Sequence, residues 1–218
     1  MVKHLFVCLL TVAAISLSSR DAAASEFTYS FQCITDTNAS NCSVLETQLS
    51  VTIGLNATNS SMVDFLFKNS GPAASSIADI YFDDPIPRLL GNPAIITESS
   101  GVSFSAGCSP GSIPGGNPYG FTTAYCADSD SPTQPNGVNP TEWVRLSYTL
   151  QGNATLLDVL NAIAADSYNV GIHVQGFSDG GSESGLMHLQ PVPEPASILL
   201  LGGGAAAAFI RRRRRFAA

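Results

Sequence analysis

The sequence predicts an all-β protein. Its body reads as an antiparallel β-sandwich of jelly-roll type with one short helix, set between an N-terminal signal peptide and a C-terminal transmembrane helix. Three observations carry that reading. Five separate runs alternate apolar and polar residues with period two, the mark of strands with one buried face. Gly (19) and Pro (13) are plentiful while charged residues make up only 12%, which favours turns over long helices. Both ends of the 218-residue chain carry uncharged apolar runs. Setting the ends aside leaves residues 25–190, a length that suits one domain with a sizeable core.

The elements follow in order. Residues 1–24 have the layout of a secretory signal: Lys3 and His4, an apolar stretch from Leu5 to Leu17, then Ala22, Ala23 and Ala24 as small residues for cleavage before Ser25. Arg20 and Asp21 directly after that stretch argue against a membrane anchor, and Cys8 within it leaves with the signal. In the body, Phe27, Tyr29, Phe31 and Cys33 alternate with Thr28, Ser30 and Gln32. Leu45, Leu49, Val51, Ile53 and Leu55 alternate with Glu46, Gln48, Ser50 and Thr52. Val63, Phe65 and Phe67 form a third strand, Val144, Leu146, Tyr148 and Leu150 a fourth, and Tyr168, Val170, Ile172 and Val174 a fifth. Ile77 to Phe82 and Val102 to Phe104 are further strands, apolar but without clean alternation. Thr155 and Asp158 start the one helix as a capping box, with Leu156, Leu160 and Ile163 on a single face.

Residues 106–141 stand apart: twelve of these 36 residues are Gly or Pro, and loops of that length are uncommon in compact domains. The segment holds Cys108 and Cys126, and the body has two further cysteines, Cys33 and Cys42. An even number in an exported chain argues for disulfides. Of the three pairings, Cys33–Cys42 and Cys108–Cys126 each close a short loop inside one turn-rich segment, so the long loop becomes an ordered lobe on the sandwich edge. Zinc is excluded by spacing and by the lack of partners, since the body has no C-x-x-C and only His173 and His188.

Charge narrows the function classes. Lys68, Arg88 and Arg145 are the only bases in residues 25–190, against fifteen carboxylates, a net charge of −12. Such a surface repels phosphate backbones, so nucleic acid is not an expected partner. The alternation turns His173 away from the core, and nothing in the carboxylate spacing selects a glycosidase pair. The body is therefore not expected to be an enzyme, and no cofactor is implied apart from calcium. Asp83 with Asp84, Asp128 with Asp130, and Asp179 with Glu183 are carboxylate clusters in turns, where hard oxygen ligands converge on a cation. None matches a known loop, since Thr133 and Asn139 stand where an EF-hand beginning at Asp128 needs Gly and Glu. The same residues also serve as turn formers and solubilising charges. Five N-x-S/T sequons, at Asn38, Asn41, Asn56, Asn59 and Asn153, fit either turns or glycan acceptors.

The tail is the most specific segment. Val192-Pro193-Glu194-Pro195 precedes an uncharged Leu/Gly/Ala run from Ala196 to Ile210, which is followed by five arginines, Arg211, Arg212, Arg213, Arg214 and Arg215. Two prolines in three residues keep that backbone open to an enzyme. Fifteen helical residues reach roughly 22 Å at 1.5 Å each, and snorkelling arginines extend them toward the ~30 Å hydrocarbon core. The arginines stay on the cytoplasmic side and leave the body outside.

These three parts together, over residues 191–218, resemble the sorting signal of PEP-CTERM proteins. The resemblance implies an exported chain that is held in the membrane by its C-terminal sorting helix. Exosortase then handles it, and it ends on the outer surface or in the extracellular matrix of a Gram-negative-type bacterium that makes exopolysaccharide. Segments of the body, including Ser75-Ser76-Ile77, Ile80 to Asp84 and Gly171 to Phe177, resemble stretches recurring in one group of these proteins, which implies architecture and no activity. The expected role is structural or interactive, linked to exopolysaccharide or biofilm. The alternative is a carbohydrate-binding module using Tyr119, Phe121, Tyr125 and Trp143 beside the long loop.

Overall fold

The computed structural model describes residues 26–84, 86–91 and 94–188. The expected signal peptide and C-terminal helix lie outside them. Ten strands form one antiparallel sheet: β1 (Phe27–Cys33), β2 (Leu49–Leu55), β3 (Met62–Asn69), β4 (Ser76–Asp83), β5 (Ile95–Glu98), β6 (Phe104–Ala106), β7 (Tyr125–Ser129), β8 (Trp143–Thr149), β9 (Asn169–Gln175) and β10 (Glu183–Met187). Their order is β5-β8-β3-β2-β1-β10-β9-β4-β7-β6.

The all-β, antiparallel expectation holds, but two separate sandwich sheets do not form. β1 belongs to both halves: Phe27 to Ser30 pair with β2, and Phe31 to Cys33 pair with β10. The sheet folds over itself about this shared strand, and its two free edges approach each other. There the Phe104 N–H in β6 donates to the Glu98 carboxylate in β5. The result is nearly a barrel, which covers edges that open sheets leave exposed.

Both halves bury one common core. Phe65 on β3 meets Phe82 on β4 edge-on at 5.1 Å between ring centroids, and Phe82 meets Tyr148 on β8 at 5.0 Å. Such edge-to-face pairs add to the area term because ring quadrupoles attract in that geometry. On the first half (β5, β8, β3, β2) the outer face is open, and Thr52, Asp64, Lys68 and Arg145 point outward from it. On β4 and β10 of the second half both faces are covered. Seven of the eight residues of β4 and all five of β10 are buried.

Several expectations change. Leu45, Glu46 and Gln48 belong to a helix, α1 (Ala39–Gln48), and not to a strand. The Asn38 side chain caps it by accepting from the Ser40 and Asn41 N–H groups. Cys42, Leu45 and Leu49 recur at helical spacing, which hides inside an apparent alternation. There are two α-helices besides α1 among the described residues, α2 (Thr133–Asn136) and α3 (Leu156–Ala164), with a 3-10 turn at Asn117–Tyr119, so one helix was too few. α3 has the expected capping box, with Thr155 N–H donating to Asp158 Oδ2 at 2.7 Å. Its core residues are Val159 and Ile163, with Leu156 and Leu160 half-buried. β5, β7 and β10 were not expected, and β7 and α2 lie inside the segment 106–141.

The expected lobe starts at the sheet's edge, between β6 and β7, but does not stay there. It lies over the outer face of the second half, where Ile113 and Phe121 pack on Tyr81 and Leu186 in a second apolar cluster. Gly171 makes room for it: a Cβ there would lie 2.4 Å from Ile113 Cδ1.

Candidate functional site

Two corners of the second half combine a disulfide with a buried carboxylate. Cys33 on β1 is bonded to Cys42 on α1, and Cys108 in the long loop to Cys126 on β7, the pairing that loop length favoured.

At the first corner Glu183, the first residue of β10, is fully buried. Its carboxylate receives the Thr35 Oγ1 hydroxyl at 2.5 Å, the Thr37 hydroxyl, the Thr37 N–H at 3.2 Å and the Asn38 N–H at 2.8 Å. The Thr35 oxygen in turn accepts from the Ser184 N–H at 2.9 Å. Burial acts to raise the Glu183 pKa, but these donors outweigh it and hold the carboxyl below its usual value. The corner is thus an anion receptor built from the segment that leads into α1.

At the second corner, register aligns a polar row across five strands: Ser105 on β6, Asp128 on β7, Asp79 on β4, His173 on β9 and Ser184 on β10. Their neighbours Phe104, Ala127, Ile80 and Ile172 are in the core, so the row faces outward. Asp79 is only 3% exposed, and its Oδ1 has no hydrogen-bond partner. Burial first, and then the charge of Asp128 and a hydrogen bond to it, push Asp79 up to about 7. His173 Nδ1 lies 3.1 Å from Ser184 Oγ, and burial lowers its pKa, with Glu183 opposing. His173 therefore faces away from the core, as alternation predicts, but is half-buried in a ladder and not on an open surface.

The six calcium candidates are dispersed. Asp179 accepts from Ser40 Oγ at 2.9 Å, and shares no donor with Glu183. Asp84 is buried and accepts from the Leu89 and Leu90 N–H groups, while Asp83 accepts from the Thr122 N–H. Asp130 accepts from Ser103 and Ser105 hydroxyls, which lower its pKa, and Asp128 turns to Asp79 instead. Among the described residues the only metal-like grouping is Cys33, Cys42 and Glu183, whose sulfurs are consumed by the disulfide. The pair Asp79–Asp128 was missed by loop-based reasoning because Asp79 sits mid-strand. A lone Asp inside Ser76-Ile77-Ala78-Asp79-Ile80-Tyr81 was the available signal.

The four candidate aromatics do not converge. Phe121 is buried in the second cluster, and Tyr125 stacks on Tyr148 with its hydroxyl bonded to the Leu90 carbonyl. Trp143 carries the Arg145 guanidinium over its ring at 5.7 Å. Tyr119 alone is exposed, at 56%, and lines an open groove of about 270 Å³ with Gln32, Ile34, Asp166 and Asn169.

The expected sorting residues all lie outside the described residues, four positions and more beyond His188. They are Val192, Pro193, Glu194 and Pro195 in the motif, and Arg211, Arg212, Arg213, Arg214 and Arg215 in the basic cluster. No curated protein and no solved structure matches the chain. A family model described as the PEP-CTERM protein-sorting motif matches residues 191–215, a span that takes in both the motif and all five arginines, so the chain carries that sorting signal at its C-terminus.

Proposed function

We propose that this is an exported protein which exosortase processes at its C-terminus, and whose body serves a structural or interaction role at the cell surface or in the exopolysaccharide matrix. The match at residues 191–215 is the observation that carries the reading. In this reading Val192-Pro193-Glu194-Pro195 is the recognition element, Ala196 to Ile210 crosses the membrane, and Arg211 to Arg215 stay inside. From His188 to Val192 is four residues, at most ~14 Å of extended chain, so the folded barrel stands close to the membrane when the enzyme acts. A body tied by two disulfides is suited to an oxidising compartment.

The reading assigns no catalysis to the body. Ser184 and His173 lie within hydrogen-bond reach, yet Ser184 is fully buried and unavailable as a nucleophile. A second reading, polysaccharide binding, is favoured by Tyr119 alone, since an exposed ring beside the Gln32 amide and the Asp166 carboxylate suits a sugar face and its hydroxyls. Glycan-array binding that Tyr119→Ala abolishes is its test.

Mass spectrometry of the surface protein tests the main reading. In a host with exosortase, peptides from Ala196 to Arg211 should be missing and the new C-terminus should fall near residues 192–195. Replacing Pro193 and Pro195 with Ala lets the helix run through the motif, and full-length protein should accumulate in the membrane. Stoichiometric recovery of the tail in wild-type protein would show a plain anchor.

A further inference from the structure

The Asp79–Asp128 pair is placed where two charges cannot both persist. The two residues are direct cross-strand partners on β4 and β7, where like charges repel at closest approach. Asp79 is buried with one oxygen unpartnered, and a lone buried carboxylate is costly unless something neutralises it.

No basic side chain of the body supplies that neutralisation. Of the three bases in the body, Arg145 is bridged to Asp64 on the first half and Lys68 shares that half, while Arg88 covers the Tyr125 ring and bonds the Asp84 carbonyl. On β9, His173 faces Asp79, and burial keeps its imidazole toward the neutral form. The other titratable groups facing the pair bring no positive charge: Tyr81 from β4 is held as a neutral phenol by burial, and Asp83 from β4, Asp130 next to β7 and Glu183 from β10 beyond His173 are carboxylates. Residue 105 on β6 is a serine, α2 contains no titratable residue, and in the covering loop 107–124 only Tyr119 titrates.

We propose that Asp79 and Asp128 share one proton, and that this carboxyl–carboxylate pair latches the edge lobe (β6, the stapled loop and β7) to β4. The geometry gives the latch its lever. β6 and β7 are the last two strands of the sheet, and in the sheet's strand order they join the rest through the β4–β7 ladder, with the Phe104 N–H to Glu98 bond as a further tie from β6 to β5. Losing the proton leaves two negative charges, that of Asp79 buried, facing each other across one rung of that junction. The Cys108–Cys126 bond keeps the loop joined to β7, so the lobe loosens as a unit and uncovers Tyr81 and Leu186.

The sign is fixed by which state holds the proton more tightly. The latched state does, with Asp79 at about 7 against an ordinary 3.8. Stability of the latch is therefore complete below the ordinary value and is lost as pH rises through about 7.

The test is hydrogen exchange by mass spectrometry on the exported protein, with rates corrected for intrinsic base catalysis. Protection of residues 104–106 and 125–129 should fall about tenfold between about pH 6 and about pH 8, while β2 and β3 stay unchanged. Asp79→Asn, a neutral isostere, should hold protection constant over the same range. Asp128→Asn removes the other charge and should do likewise, so a folding failure in either variant leaves one reporter. Constant protection in the wild-type protein, or an Asn variant that keeps the wild-type pH dependence, overturns the latch.

Discussion

The Glu183 corner and the Asp79 edge are built from the same parts and behave in opposite ways. Each has a buried carboxylate on the second half of the sheet and a disulfide that ties a loop or helix beside it. Glu183 meets four donors, and its pKa falls despite burial. Asp79 meets another carboxylate, and its pKa rises to about 7. Burial is common to both, so the donor set decides the sign. A carboxylate surrounded by N–H and O–H groups locks a segment in place, whereas one facing its own kind makes a junction that can let go.

The largest way to break the comparison is to remove the locked charge. Glu183→Ala leaves the Thr35, Thr37 and Asn38 donors unpaired around a cavity, at a cost of about 3 kcal/mol or more in urea unfolding. Glu183→Gln keeps the volume but turns an amide NH₂ toward donors, and it should recover only part of the loss. The pH dependence sharpens the contrast. The folded Glu183 pKa is lowered, so its contribution is present above the ordinary glutamate value and is lost as pH falls through the folded one. The acid limb of the stability curve should therefore flatten in Glu183→Gln. A variant as stable as wild type with an unchanged acid limb would show that the receptor holds nothing.

Next come the staples. The two loops close over 9 and 18 residues. Chain entropy predicts about 2.5 kcal/mol for Cys33–Cys42 and about 3 kcal/mol for Cys108–Cys126, so by length alone the second Cys-to-Ser pair should cost more. The carboxylates set a second difference. Without Cys33–Cys42, Glu183 still holds Thr35, Thr37 and Asn38, so exchange near α1 should change little. Without Cys108–Cys126, the lobe has the proton-sharing pair and the Ile113 and Phe121 contacts to hold it, and protection there should become more sensitive to pH. Equal local effects at the two corners would erase the distinction drawn between them.

The halves of the sheet also differ in how far the sequence reveals them. β1, β2, β3, β8 and β9 announce themselves because one face meets the core and the other meets water or small polar side chains. Tyr29, Val51, Phe65 and Leu146 alternate with Ser30, Thr52, Asp64 and Arg145 for that reason. β4 and β10 are covered on both faces, so the period-two signal vanishes, and in β10 Glu183-Ser184-Gly185 reads as a turn. Gly185 lacks a side chain because Leu45 of α1 lies against it, where a Cβ would come 2.7 Å from Leu45 Cδ2. That contact is long-range and leaves no local trace. The same holds for β7, which is a strand only because it pairs with β4 across the Gly- and Pro-rich lobe. Disulfide pairing and the tail motif were legible because both are local: loop length fixes the first and composition the second. The Asp79–Asp128 pair depends on register between residues far apart in sequence, which no window along the chain displays.

The smallest expected effect tests whether the lobe is seated where the latch requires. Gly171 on β9 lies under Ile113, and an added methyl would come within 2.4 Å of Ile113 Cδ1 and 3.2 Å of Leu186 Cδ2. Alanine is a better strand residue than glycine, by roughly 0.5–1 kcal/mol of backbone entropy, while overpacking costs about 1–3 kcal/mol. Gly171→Ala should therefore destabilise by only about 1 kcal/mol, the Ile113 terminal methyl being displaced. Ile113→Val removes that methyl and costs about 1 kcal/mol by itself. Combined, the two changes relieve each other: the valine vacates the space that the alanine fills, and the double variant should be more stable than additivity allows by about 1 kcal/mol. Urea unfolding of the four proteins measures this coupling. A coupling near zero would mean that Ile113 does not rest on β9, that the lobe is not held against the outer face, and that the Asp79–Asp128 junction has nothing above it to release.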